Sequence, residues 1–541
     1  MKMEKHEVFV PKPEETLYRE PEQKSINPIM RNHVPYFMGI SLLYAVCFTI
    51  AFYKNFIGIT FPIITAITLA VCCLFLKKNE ISWNKSNWWY VAGSLLLGVS
   101  TVLTANEFVI FFNTLGILLL ITVFMIRQVY DDKGWNLGQY ICNLLFLYLC
   151  MVPEIASPFI HFANYINKYK KEEKKNKNVK YILIGILIGL PILLIVIELL
   201  SSADQIFSRL VGRAFHSLWS QIVFSPNLFL VILLIILGFF GIYCFLSALT
   251  QNNMPEWKKK ENRKNPVIAI TFLSMITAVY LLFCGIQAIF LFTGGKLLPQ
   301  GYTYSEYARQ GFFQLLFLCI FNLILVVICL SVFQKNRWLK TLLLIFSGCT
   351  YIMIASSAFR MILYISVYHL SFLRVLVLWF LGMLVILMAG VVINIVKEEF
   401  ELFRYCVSVV AVCYLLFSFG KVDSLIASYN VAQLGNDMSY EDVAYLAGLS
   451  ADAVPALSKC EFEHEHFSTN TAKYGGYTED LYGNVTGLKP QEDRNGYVSG
   501  CRRCKLEQKF QRVLNTADKM SLRTFHFSRY QAAKAAEKYF R

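Results

Sequence analysis

Charged side chains are scarce. Asp, Glu, Lys and Arg supply only 16% of the 541 residues, against about 25% in a soluble globular domain. Glycine (29) and proline (15) are too few for a collagen-like or low-complexity chain, and the 74 Phe and Tyr side chains exclude disorder. No Gly-rich phosphate loop, His-Glu-x-x-His pair or Gly-x-Ser-x-Gly turn occurs, which disfavours a cytosolic ATPase or a serine hydrolase. What fills the space is apolar: 56% of residues are hydrophobic and the mean hydropathy is +0.49. That balance belongs to an integral membrane protein.

Crossing the hydrocarbon layer takes about 20 predominantly apolar residues. Windows of that kind predict twelve spans, near 35–53, 56–76, 88–105, 108–126, 137–153, 181–200, 227–249, 267–292, 312–333, 341–359, 375–396 and 405–420. The weakest is 137–153, interrupted by Gln139, Asn143 and Pro153. The first 34 residues carry six basic and six acidic side chains and four prolines, and read as a polar tail without a cleavable signal.

The formal charge of +15 sits in short loops between apolar runs, which argues for membrane orientation and against a nucleic-acid surface. Seven lysines in the loop 166–180 mark it as cytoplasmic. Beyond it, basic-rich loops at 251–265 and 334–340 alternate with poorer ones at 201–226, 293–311 and 360–374. By parity everything after Gly420 lies outside. The front half does not close, because a cytoplasmic N-terminus needs an even number of crossings before residue 166 and five are counted. A broken or re-entrant hairpin through Glu154–Asn167, permitted by Pro153 and Pro158, or an interfacial 137–153 run, restores the parity more simply than an N-terminus outside.

The expected fold class is therefore all-α: a polytopic transmembrane helix bundle with a C-terminal extracytoplasmic α-rich domain. Its parts are a cytoplasmic N-terminal tail (1–34), N-terminal transmembrane helices (35–165), a basic cytoplasmic loop (166–180), a core of about seven helices (181–420) and the extracytoplasmic domain (421–541). Residues 201–226 have the spacing of an amphipathic helix on the outer headgroup layer. In the last domain charge is segregated, at −7 for 421–501 and +8 for 502–541, so the two blocks are expected to pair within one folded unit.

Four stretches carry a resemblance: Tyr304-Ser305-Glu306-Tyr307-Ala308-Arg309-Gln310-Gly311-Phe312-Phe313 within 301–315, Arg360 to Tyr364 leading to Leu373-Arg374, Val422 to Val431, and Asp437 to Leu457. Together, over roughly Tyr181 to Leu457, they resemble the bacterial multi-pass proteins grouped as domain-of-unknown-function family 4173, close to family 4153. His369 and Ser371 depart from the Gly-Leu-Thr pattern expected there. The resemblance implies a bacterial cytoplasmic membrane address and no reaction.

Ionisable groups at membrane depth are functional candidates by default. Glu198, Glu306, Arg309, Arg360 and Arg374 fall near outer span ends, where anchoring and ion pairing explain them most simply. The sharper reading is a polar cluster at the outer mouth, Tyr304, Glu306, Tyr307, Arg309, Arg360 and Arg374, able to hold a headgroup or small anion. Of 15 cysteines, twelve lie at or before Cys413 in apolar runs. Cys460, Cys501 and Cys504, with His464 and His466, leave zinc, disulfide and free thiols open, zinc being the weakest. No cofactor is implied. Expected partners are the lipid bilayer and other membrane or envelope proteins, not nucleic acid. These features favour a non-catalytic envelope, accessory or sensing protein. A secondary transporter of a small polar or anionic solute comes second, and an enzyme acting on a lipid-linked substrate at the outer leaflet, using Glu306, Arg309 and His369, third.

Overall fold

A computed structural model describes residues 29–55, 57–130, 132, 135, 137–169, 226–250, 263–292, 312–397, 400–463 and 501–541, with a few positions between 189 and 207 and the strand residues 478–479 and 485–486. Most of the span expected at 181–200, of the amphipathic stretch 201–226 and of the basic loop 166–180 lies outside the described residues.

Helices α1 (Ile29–Asn32), α2 (Val34–Phe52), α3 (Thr60–Lys78), α4 (Trp88–Leu103) and α5 (Glu107–Val129) open the chain. Next come α6 (Leu137–Met151), a 3-10 turn over Pro153–Ala156, and α7 (Ser157–Tyr169). Then follow α8 (Pro226–Thr250), α9 (Pro266–Phe292), α10 (Phe312–Val332), α11 (Arg337–Tyr368), α12 (Phe372–Val396) and α13 (Leu402–Phe419). Among the described residues ten helical segments are long and apolar enough to cross a membrane, with Leu137–Ile166 taken as one of them. At 16 residues α4 is shorter.

Local chemistry sets the boundaries. Asn106 caps α5 by accepting from Val109 N at 3.0 Å, and Asn336 caps α11 by accepting from Trp338 N at 2.8 Å. One boundary departs from expectation. The span read as 341–359 stops at a charge in the sequence, but α11 runs through Arg360 to Tyr368 because the guanidinium is buried and hydrogen-bonded rather than left in lipid.

Two apolar cores divide the bundle. One joins α2–α6 with α8 around Phe37, Phe75, Tyr90, Phe124 and Tyr243, and the other joins α9–α12 around Leu273, Cys319, Phe346 and Met388. Helix α13 contributes Phe403 to the first and Leu402 to the second. Polar links mark which helix ends lie together. Asn84 N donates to Gln128 Oε1 (3.1 Å), Tyr130 Oη to Leu249 O (2.8 Å), Arg404 Nη2 to Ser86 Oγ (2.7 Å) and Lys340 Nζ to Val396 O (3.3 Å). At this end sit Lys77, Lys78, Lys85, Arg127, Lys264, Lys340, Lys397 and Arg404, with Trp88 and Trp338 exposed as interfacial aromatics. We refer to it as the basic end.

The α6–α7 segment begins and returns there. Arg127 pairs with Asp132 at 2.8 Å, Tyr140 stacks on Phe403 at 3.6 Å, and α7 packs on α1 and α2. Pro153, which cannot continue an α-helical hydrogen-bond ladder, sits at the break.

After α13 the chain forms α14 (Val422–Leu434), α15 (Tyr440–Gly448), α16 (Val454–Leu457), α17 (Arg502–Ala517) and α18 (Phe527–Phe540). Their core gathers Ile426, Leu446, Leu457, Leu506, Phe510 and Ala532, and also takes in Val109 and Phe417 of the bundle. This C-terminal unit caps the end opposite the basic one. A two-residue strand pair, Thr478–Glu479 with Val485–Thr486, completes the described structure.

Candidate functional site: a buried junction opposite the basic end

The turn between α4 and α5 is held by two carboxylates from the C-terminal unit. Asp452, 4% exposed, accepts from Thr104 Oγ1 at 2.7 Å, from Ala105 N at 2.9 Å and from the Ser528 hydroxyl. Asp423, 1% exposed, accepts from Asn106 Nδ2 at 2.9 Å and from Ser450 N at 3.0 Å. Buried carboxylates persist where donors replace the water they lose, and here the donors come from both sides of the junction. Lys509 lies close enough to feel the Asp423 charge. Burial nevertheless pushes its ammonium below the usual lysine range, and Nζ donates to Leu449 O.

His526 starts α18 in the same layer. It is fully buried, its Nδ1 accepts from Arg529 N at 3.4 Å, and burial with the neighbouring Arg529 charge pushes the ring down to about 4. The imidazole is neutral at pH 7.

The unit grips other loops at this end. Asn430 pairs with both backbone groups of Leu370, accepting from its N–H at 3.0 Å and donating to its carbonyl at 2.9 Å, while Tyr445 Oη accepts from Phe372 N at 2.9 Å. Ile59 N donates to Phe525 O at 3.0 Å, beside Gly58, whose φ of +147° and close approach to the Phe525 carbonyl suit glycine. The α2–α3 and α4–α5 turns belong to the first helix group and the α11–α12 turn to the second. One cap therefore bridges both.

Polar contacts also run inside the bundle. Ser418 Oγ donates to Asn113 Oδ1 at 2.8 Å and lies 2.5 Å from Ser100 Oγ, joining α13, α5 and α4. In the second group Tyr280 Oη donates to Asn322 Oδ1 (2.9 Å) and Asn322 Nδ2 to Thr350 Oγ1 (3.1 Å). Two turns further, Gln287 Oε1 accepts from Ser356 Oγ at 2.6 Å and Arg360 Nη2 at 3.1 Å. Near the basic end Glu154, at the α6–α7 break, accepts from Ser157 and from Ser247 Oγ (2.5 Å), beside a 2.9 Å His161–Tyr243 contact.

Of the expected outer-mouth cluster, Tyr304, Glu306, Tyr307 and Arg309 lie outside the described residues. Arg360 and Arg374 are placed, and they do different things. Arg360 is buried between α11 and α9, whereas Arg374 donates to Tyr368 O (2.6 Å) and His369 O (2.7 Å) and stacks 4.5 Å over the Tyr364 ring, closing the C-terminus of α11. His369 itself has a φ of +61° at that turn.

His464 and His466 are also outside the described residues. Cys460 and Cys501 are buried and Cys504 is exposed. Cys504 N donates to Cys501 Sγ at 3.2 Å, and that neighbour pushes the Cys504 thiol up, while burial pushes Cys460 up to about 11. Among the described residues no group of three or more His, Cys, Asp or Glu could hold a metal ion.

Sequence reasoning passed over Asp423, Asp452, His526 and Glu154 as site residues. The first two lay in view inside the family-like strings, and helix-cap spacing around Ser450-Ala451-Asp452 was their one local signal.

Residues 91–460 match the family profile described as "Domain of unknown function (DUF4153)". No curated protein and no solved structure matches the chain.

Proposed function

The chain belongs to the domain-of-unknown-function 4153 family, and from that premise we propose that it is a non-catalytic scaffold of the bacterial cytoplasmic membrane. In this reading the basic end faces the cytoplasm, and the C-terminal unit stands outside as an accessory or sensing platform. The positive-inside rule supports the orientation, because lysine and arginine gather in the short loops of one end. A single observation carries the scaffold role. The C-terminal unit holds turns of both helix groups through Asp452, Asp423, Asn430 and Tyr445, so the groups cannot rock apart at that end without breaking these hydrogen bonds. Alternating access requires that kind of rocking.

One observation favours transport as the second reading. Glu154 is a buried carboxylate at a proline-broken helix, the arrangement in which transporters place coupling sites.

Complementation of a deletion strain separates the two. A scaffold tolerates Glu154→Gln and Arg360→Gln at normal protein levels but loses function with Asp452→Ala. Full activity of Asp452→Ala alongside a dead Glu154→Gln would replace the scaffold reading with transport.

A further inference from the structure

The turn between α17 and α18 carries an apolar side chain with nothing over it. Leu522 is 94% exposed, the most open of the large hydrophobic residues described. A lone exposed leucine is ordinary on a soluble surface. This one is held in a particular place. Arg523 Nη1 donates to Ile50 O at 2.9 Å, Asn55 Nδ2 donates to Arg523 O at 3.3 Å, and Phe525 O accepts from Ile59 N at 3.0 Å. These bonds fasten the turn to the end of α2 and the α2–α3 loop.

Helix α2 presents an apolar stripe outward, with Leu42, Leu43, Val46 and Ile50 between 43% and 65% exposed. In a membrane protein that stripe faces acyl chains, and Ile50 is its last member before the loop. Leu522 is the chain neighbour of Arg523, whose guanidinium reaches the carbonyl of Ile50 at that helix end. Around it the charge is mainly positive. Lys519 is exposed, Lys54 and Arg523 both lie over the Tyr53 ring at 5.6 and 6.0 Å, and Asp518 is the neighbouring acid. An apolar tip with flanking lysine, arginine and tyrosine is the composition of an interfacial anchor.

We propose that the Met520–Phe525 turn is a bilayer contact of the C-terminal unit, with Leu522 seated at the acyl–headgroup boundary and Lys519, Lys54 and Arg523 meeting anionic lipid headgroups. The partner is a lipid surface. The stripe that ends at Ile50 is lipid-facing, and the flanking cations complement anionic heads. The inference rests on α2 crossing the bilayer and is independent of the scaffold role.

The test is photocrosslinking of the full chain in nanodiscs of mixed phosphatidylglycerol and phosphatidylcholine. Leu522 is replaced by p-benzoylphenylalanine, and the same replacement at Leu43 is the lipid-facing control. Lipid adducts at 522 are expected, enriched in the anionic lipid by at least about twofold over its bulk fraction. Lys519→Gln combined with Lys54→Gln should return that ratio toward bulk without abolishing adducts. A crosslinked dimer at 522, or no adduct there while Leu43 labels, would overturn the proposal. Adducts at the bulk lipid ratio would remove its anionic headgroup part.

Discussion

Asp452 and Thr104 stand 348 residues apart in the chain and share a 2.7 Å hydrogen bond between the C-terminal unit and the α4–α5 turn. Replacing Asp452 by Ala strands three buried donors, the Thr104 and Ser528 hydroxyls and the Ala105 N–H. The expected cost is about 1–3 kcal/mol of docking stability, since an unsatisfied buried donor loses its water without compensation. Limited proteolysis in detergent reads it out. The Asp452→Ala protein should release the C-terminal unit well before the parent does, and Asp452→Asn, which keeps an acceptor, should fall between them.

His526 makes the same junction sensitive to acid. Its folded-state value of about 4 lies below the ordinary 6.5, so folding favours the neutral ring. For a base shifted downward, the stabilisation is complete above about 6.5 and is lost as pH falls from there toward 4, reaching about 3 kcal/mol below that window. Thermal unfolding of the junction, followed between pH 7.5 and 4, should fall through this range. His526→Asn retains a helix cap and should flatten the profile; an unchanged slope would assign the pH dependence elsewhere.

Close packing between α12 and α13 depends on Gly390. A β-carbon there would overlap the Tyr405 ring, whose hydroxyl is held by Ile386 O at 2.8 Å and is not free to swing away. Gly390→Ala should lower stability by about 1–3 kcal/mol. Adding Tyr405→Ala should recover part of that loss, which thermal stability in detergent would register.

Much of the bundle was legible because a lipid-crossing helix writes itself as an uninterrupted apolar window. The windows around Phe312–Val332 and Phe372–Val396 match their helices to within three residues. Legibility failed where tertiary contacts override the local pattern. Arg360 reads as a stop but is accommodated by Gln287 of α9, whose Oε1 also accepts from Ser356 one turn earlier on α11. The run 137–153 reads as a weak span because Gln139, Asn143 and Pro153 interrupt it, and the local pattern leaves open which contacts place Tyr140 and α7 at the basic end. The junction was hidden for a different reason. Asp423 and Asp452 look like solvated acids in an acidic stretch, and only folding brings Asn106, Thr104 and Ser528 to them. Arg374 sits beside a helix end in the sequence, and its hydrogen bonds to the Tyr368 and His369 carbonyls close α11 there.

The central claim is that the C-terminal unit stands on the extracytoplasmic face, opposite the basic end. Cys504, the exposed thiol of that unit, reports on it directly. Intact cells are treated with a membrane-impermeant maleimide, with Cys504→Ser and Lys335→Cys proteins as references. The account predicts Cys504-dependent labelling without permeabilisation, while the Lys335→Cys site labels only after it. Cys504 labelling that requires permeabilisation would contradict it.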